Sequence, residues 1–177
     1  GLALDFQWLN RQLFYGIYTR TEDYFPNSEF RARGLPDAAE LALLDPLRAR
    51  LRTEVFGPAV TMPTTEPPGS LRDNLRQARE LLQQAGWTYR DGALRNARGE
   101  PFTIEYLSDQ PSLTRVIAPY QAALRKLGIA LTIRNVDYAL SQQRMDTFDY
   151  EMTSINMMPL GDLAPSGLRE LFGSRAA

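Results

Sequence analysis

The sequence contains neither cysteine nor histidine. That double absence removes Cys/His zinc sites, Ser-His-Asp and Cys-His nucleophilic catalysis, and disulfide staples from consideration. An enzyme built from carboxylates, lysine or tyrosine stays open, without the usual proton shuttle near neutral pH. A cysteine-free chain suits an oxidising compartment but does not require one. No apolar run approaches the roughly 20 residues a transmembrane helix needs, so the chain is not expected to span a membrane. Neither sign of charge dominates, with Lys+Arg at 20, Asp+Glu at 21 and a net charge of -1. That balance gives no electrostatic case for nucleic acid or an anionic membrane surface as a partner.

The patterns that announce common chemistry are missing too. There is no GxGxxG or Walker loop, and the glycine turns precede a strand rather than open a phosphate-facing helix. Lysine is nearly absent; Arg48, Arg50 and Arg52 stand close together and read as a solvated face. Asp146, Asp149 and Glu151 are near in sequence, but a strand would alternate their faces, so no paired acid/base site is indicated. No catalytic residue, metal-ligand set or cofactor motif emerges.

What is present is an ordinary globular composition: 177 residues, 44% hydrophobic and 10% aromatic, enough for one domain or two small lobes. The chain opens on "GLALDFQWLN", already helical in pattern, and is expected to be an excised piece of a longer protein. Phe6, Leu9 and Leu13 predict a first helix that Gly16 ends. An irregular segment with Tyr18, Tyr24, Phe25 and Phe30 follows, a recognition surface or a set of packing anchors. Asp37 and Glu40 form a capping box for a second helix, and Asp45-Pro46 opens a short third one. Residues 53–69 carry Pro58, Pro63, Pro67 and Pro68. They read as an ordered connecting loop or a flexible linker, and the lack of Gly/Ser composition favours the ordered form. They also divide a helical and irregular part, 1–69, from an α/β part, 70–177, of one structural unit.

From Ser70 the pattern firms. Ser70 and Asp73 cap a helix with the stripe Leu71, Leu75, Ala78, Leu82 and Ala85, ended by Gly86. Asp91-Gly92 and Arg98-Gly99 make two tight reversals before a strand, Phe102 to Leu107. A helix begins at Ser112 and carries Leu113, Val116, Ile117, Tyr120, Leu124 and Leu127. Pro119 should bend its first turns or delay its start. Gly128 ends it, Ile129, Leu131 and Ile133 alternate along a second strand, a short helix covers about 138–144, and a last strand lies near 150–156. Strands alternating with helices imply right-handed crossovers: an α/β fold with a mostly parallel sheet flanked by helices.

In such sheets ligands bind beyond the carboxyl ends of the strands. Three loops qualify: Ser108–Ser112, Asn135–Tyr138 and Ser154–Gly167. Met157 and Met158, beside Asn156, are either a soft ligand surface or core filling at a strand end. Asp109 is either a helix cap or a partner for a ligand amine.

The stretch "LRDNLRQARELLQQAGWTYRDGALRNARGEPFTIEYL" resembles the hallmark segment of the periplasmic oligopeptide/dipeptide-binding class of extracellular solute-binding proteins, family 5, which serve ABC transporters. Ala85-Gly86-Trp87, Asp91-Gly92, Gly99-Glu100-Pro101, Leu127-Gly128-Ile129 and Phe148-Asp149 follow the family's order. "ALDFQWLNRQLFYG" and "YFPNSE" resemble the subgroup linked to uptake of peptides and microcin C. The resemblance runs end to end and implies one lobe of a two-lobed binding protein. Its partners would be a peptide or peptide-like ligand, an ABC transporter permease and the other lobe. It would be periplasmic, without cofactor or catalysis. Ligand contacts are then expected at Asp109, Gln110, Ser112, Asn156, Met157, Met158 and Asp162. Relatives carry an Asp after the last strand that pairs with the peptide's amino terminus. The matching position here falls at Met157 and Met158, with no Asp until Asp162, so either Asp162 substitutes or backbone contacts hold the ligand. A ligand-sensing domain of a transcriptional regulator is the rival reading, and a carboxylate hydrolase with a lid is a third.

Overall fold

A computed structural model describes residues 1–23, 25, 31–155 and 173. Helix α1, Phe6–Leu13, starts where the Asp5 carboxylate accepts the Trp8 N–H at 3.0 Å, and it buries Leu9. Phe14 meets Tyr18 edge-on at 5.0 Å, so this part of the aromatic cluster packs on itself. Tyr24 and Phe30 lie outside the described residues.

Helix α2, Ala38–Leu44, has the expected capping box. Asp37 accepts the Ala39 and Glu40 N–H groups, and the Glu40 carboxylate accepts the Asp37 N–H at 2.8 Å. The third helix, Asp45–Arg50, takes the tighter 3₁₀ form, as does Thr53–Phe56. The proline-rich segment is tied down by side chains. The Thr65 hydroxyl donates to Asp5 at 2.5 Å, Arg20 donates to the Pro63 carbonyl at 2.8 Å, and Arg11 pairs with Glu66.

Helix α3, Leu71–Gln84, is capped by Ser70, whose hydroxyl accepts the Asp73 N–H. It buries Leu75 and Ala78. Gly86 takes φ +85, and the Trp87 N–H returns to the Leu82 carbonyl at 2.9 Å, closing a Schellman cap. Trp87 then stacks on Phe102 at 4.5 Å. Strands β1, Thr88–Arg90, and β2, Ala93–Arg95, pair antiparallel across Asp91-Gly92; both turn residues have positive φ, as a two-residue I′ turn requires.

Leu94, almost wholly buried, joins this hairpin to the sheet. Its N–H donates to the Gly128 carbonyl and its carbonyl accepts the Phe102 N–H, both at 2.8 Å. Strands β3, Thr103–Ser108, and β4, Ala130–Asn135, then run parallel with Thr103 opposite Ala130 and Ser108 opposite Asn135. Between them lies α4, Thr114–Lys126, with Ala123 and Leu124 buried. Helix α5, Tyr138–Asp146, starts from the Asp137 cap. Leu75, Ala78, Leu94, Tyr106, Leu124, Leu127, Ile129 and Leu131 form one core, which also takes in Ala3 from the start of the chain.

Two expectations need correction. The helix expected from Ser112 begins at Thr114, because Pro111–Leu113 forms a 3₁₀ turn first; Pro119 consequently lies in the second turn of α4. The strand expected over 150–156 is reduced, among the described residues, to a parallel bridge between Met152 and Tyr106. The reason is visible on either side of that bridge. The Glu105 N–H donates to the Glu151 carboxylate at 2.5 Å, and the Leu107 carbonyl accepts the Thr153 hydroxyl at 3.0 Å. Side chains take the rungs that backbone would fill, so the ladder does not propagate.

Candidate functional site at the strand ends

Tyr106 pairs with Ile133 of β4 and with Met152, so β4 and the Met152 segment flank β3 on opposite edges. The connection through α4 leads one way from β3, and the connection through α5 crosses back to the other edge. In open α/β sheets a reversal of this kind marks a topological switch point, the place where ligand crevices form.

The carboxyl end of β3 is built from buried, hydrogen-bonded groups. Tyr106, 1% exposed, holds its hydroxyl 2.7 Å from that of Ser154. Ser108 is buried; its hydroxyl accepts the Gln110 N–H at 3.1 Å and donates to the Gln110 carbonyl at 3.2 Å. The Ser108 carbonyl accepts the Val136 N–H at 2.9 Å, which fixes the exit of β4. Asp137 is consumed as the α5 cap through the Leu140 N–H.

The loop that these groups position carries Asp109, Gln110 and Ser112 together. Gln110 and Ser112 are exposed and Asp109 is half-buried. The capping role foreseen for Asp109 does not occur: neither the Pro111–Leu113 turn nor α4 has a side-chain cap. The intervening 3₁₀ turn puts the free N–H groups of α4 at the wrong place along the chain. Among the described residues no hydrogen bond or ion pair engages the Asp109 carboxylate, which leaves an acceptor-only group just past the carboxyl end of β3. Asn156, Met157, Met158 and Asp162 lie outside the described residues, as does most of the loop that begins at Ser154. Among the described residues no group of three or more Asp or Glu could hold a metal ion, and no helix is long and apolar enough to cross a membrane.

Sequence reasoning passed over Tyr106 and named Ser154 only as the start of a loop. The signal was available: Ile104, Tyr106 and Ser108 share one face of β3, and a buried tyrosine hydroxyl needs a partner.

The model of the bacterial extracellular solute-binding proteins, family 5 (middle), matches residues 1–177. The chain belongs to that family. YejA of Escherichia coli K12 is 42% identical over 152 residues, covering 85% of this chain and 25% of the relative. The probable peptide-binding protein YejA of Agrobacterium fabrum is 38% identical over 152 residues, again covering 85% of this chain and 25% of the relative. The chain therefore spans about a quarter of the length of the family 5 relatives it matches. Among solved structures, NikA from Brucella suis in complex with Fe(III)-EDTA shares the fold, with a TM-score of 0.61 and 19% identity over 98% of this chain and 29% of that one.

Proposed function

We propose that this chain is a substrate-binding lobe of an ABC-transporter solute-binding protein that takes peptides or peptide-like compounds. The observation that carries the reading is the unpaired, half-buried Asp109 carboxylate at a topological switch point, in a chain of solute-binding family 5. A carboxylate there suits a peptide ammonium or amide N–H, because charge-assisted hydrogen bonds strengthen where water is excluded. The A. fabrum relative's name, probable peptide-binding protein, supports the same ligand class.

In this reading Gln110 and Ser112 add polar contacts, and Asn156, Met157, Met158 and Asp162 contact the ligand as well. Parts 1–69 and 70–177 act as one lobe, and closure against a second lobe buries the ligand. The protein works in the periplasm, delivers to a permease and catalyses nothing. Binding without turnover is consistent with a chain that lacks histidine and cysteine. Isothermal titration of the full-length protein with defined di-, tri- and pentapeptides tests the proposal. Saturable heat with at least one peptide, and no change in the peptide afterwards, is the expected result. Silence with every peptide, or hydrolysis of one, would sink it.

A further inference from the structure

One part of the molecule has its polar groups in order and its apolar groups in none. The backbone leaves at Gly34 and returns at Ala59, where the Ala59 N–H donates to the Gly34 carbonyl at 2.7 Å. Residues 35–58 between them form an arm of α2 and the two 3₁₀ turns. The arm's polar side is satisfied internally: the Asp37 capping box, Arg48 with Asp45 at 2.6 Å, Arg52 with Glu54 at 2.9 Å, and the Arg48 guanidinium 3.7 Å from the centre of the Phe56 ring.

No residue of the arm is buried. Yet α2 reads AAELALL, and Leu43 is 77% exposed and Leu35 67%. Leu47 and Val55 are exposed as well. A helix of seven residues is far below the roughly 12–15 at which an isolated helix becomes even marginal. Ordering each residue costs about 1–2 kcal/mol of backbone entropy, and only buried apolar surface offsets that on this scale. Leu41, Leu44, Leu51 and Phe56 are only half-buried, so the arm's own packing falls short of that cost and its exposed leucines are left to be covered.

We infer that the arm, Leu35 to Pro58, docks through Leu35, Leu43, Leu47 and Val55 onto the remainder of the same full-length polypeptide. The family 5 relatives are about three and a half times the length of this chain, so most of such a protein lies outside it. Covalent continuity presents that surface at an effective concentration of the order of millimolar, which a second copy in dilute solution does not match. The inference rests on the chain being part of a longer polypeptide and is independent of which ligand is bound.

The test uses the full-length protein and no ligand, so its failure and that of the peptide reading are separable. This chain has no cysteine, so L43C places one thiol on the arm. Alkylation by N-ethylmaleimide, mapped to that thiol by mass spectrometry, is expected to be at least tenfold slower in the native protein than in denaturant, and unchanged on hundredfold dilution. A native rate equal to the denatured one overturns the inference, and so does protection that disappears on dilution, which would point to a second copy. Hydrogen exchange on the unsubstituted full-length protein guards against a variant that does not fold. Protected amides over 41–44 support docking, and free exchange there refutes it.

Discussion

Arg144 of α5 holds Glu105 of β3 with its Nη1 at 2.8 Å from the carboxylate, while its Nε donates to both the carbonyl and the carboxylate of Asp149 at 2.8 and 3.0 Å. One guanidinium thus joins a helix, a strand and the segment that returns to the sheet. The hydrogen bond to Glu105, with the nearby charge of Asp149, holds the Arg144 pKa above its ordinary value. Arg144→Met is expected to release residues 149–152, lower the thermal midpoint and speed amide exchange at Leu107, whose N–H donates to the Met152 carbonyl. Arg144→Lys should restore only part of this, since an ammonium cannot reproduce the planar fork. Unchanged exchange at Leu107 in both variants would remove the proposed role.

The two glycines that end α3 and α4 are expected to behave differently. Gly86 and Gly128 both have positive φ, but a Cβ on Gly86 meets nothing within 4 Å, whereas on Gly128 it lies 2.7 Å from the Leu94 nitrogen and the Tyr89 ring. Gly86→Ala should cost about 1–2 kcal/mol, the left-handed penalty alone. Gly128→Ala should cost clearly more, on the order of 3 kcal/mol, because backbone must move as well. Chemical denaturation of the pair settles the order.

Burial raises the pKa of the Tyr120 phenol above its ordinary value. The unfolded chain then releases that proton first, at about pH 10. The resulting stability is complete below about pH 10 and is lost as pH climbs through the folded-state pKa. Tyr120→Phe should flatten this alkaline decline while leaving stability at pH 7 nearly unchanged. A decline of equal slope in both proteins would contradict it.

Asp109→Asn is expected to weaken peptide binding by the full-length protein at least tenfold with little effect on the denaturation midpoint. The carboxylate has no bonded partner among the described residues, so its loss should be felt by the ligand rather than the fold. Titration with and without the substitution, beside a melting curve, separates the two effects.

Much of the fold was legible from local chemistry. Caps at Asp37 and Ser70 and stops at Gly86 and Gly128 are one-residue decisions, and each was readable from the side chain it requires. What escaped depended on distant partners. The strand near Met152 looked regular because its residues suit a strand; that Glu151 and Thr153 would bond β3 through side chains is a tertiary fact. Asp109 looked like a cap because it stands just ahead of a helix, and the 3₁₀ turn at Pro111 moved that helix out of its reach. Phe148 stands where helices usually place glycine, at φ +55, with the Asp149 N–H closing the turn on the Arg144 carbonyl at 2.8 Å. Nothing in its side chain announces that conformation.

The β1–β2 hairpin offers a practical handle. Leu94 clamps it to the amino-terminal ends of β3 and β4, and the six residues of β3, at roughly 3.3 Å each, put the Asp109 loop about 20 Å away. Its tip, Asp91-Gly92, points outward with no load on it. A dye or surface tether attached there would hold this chain by the end away from Asp109, leaving the proposed ligand end facing solution.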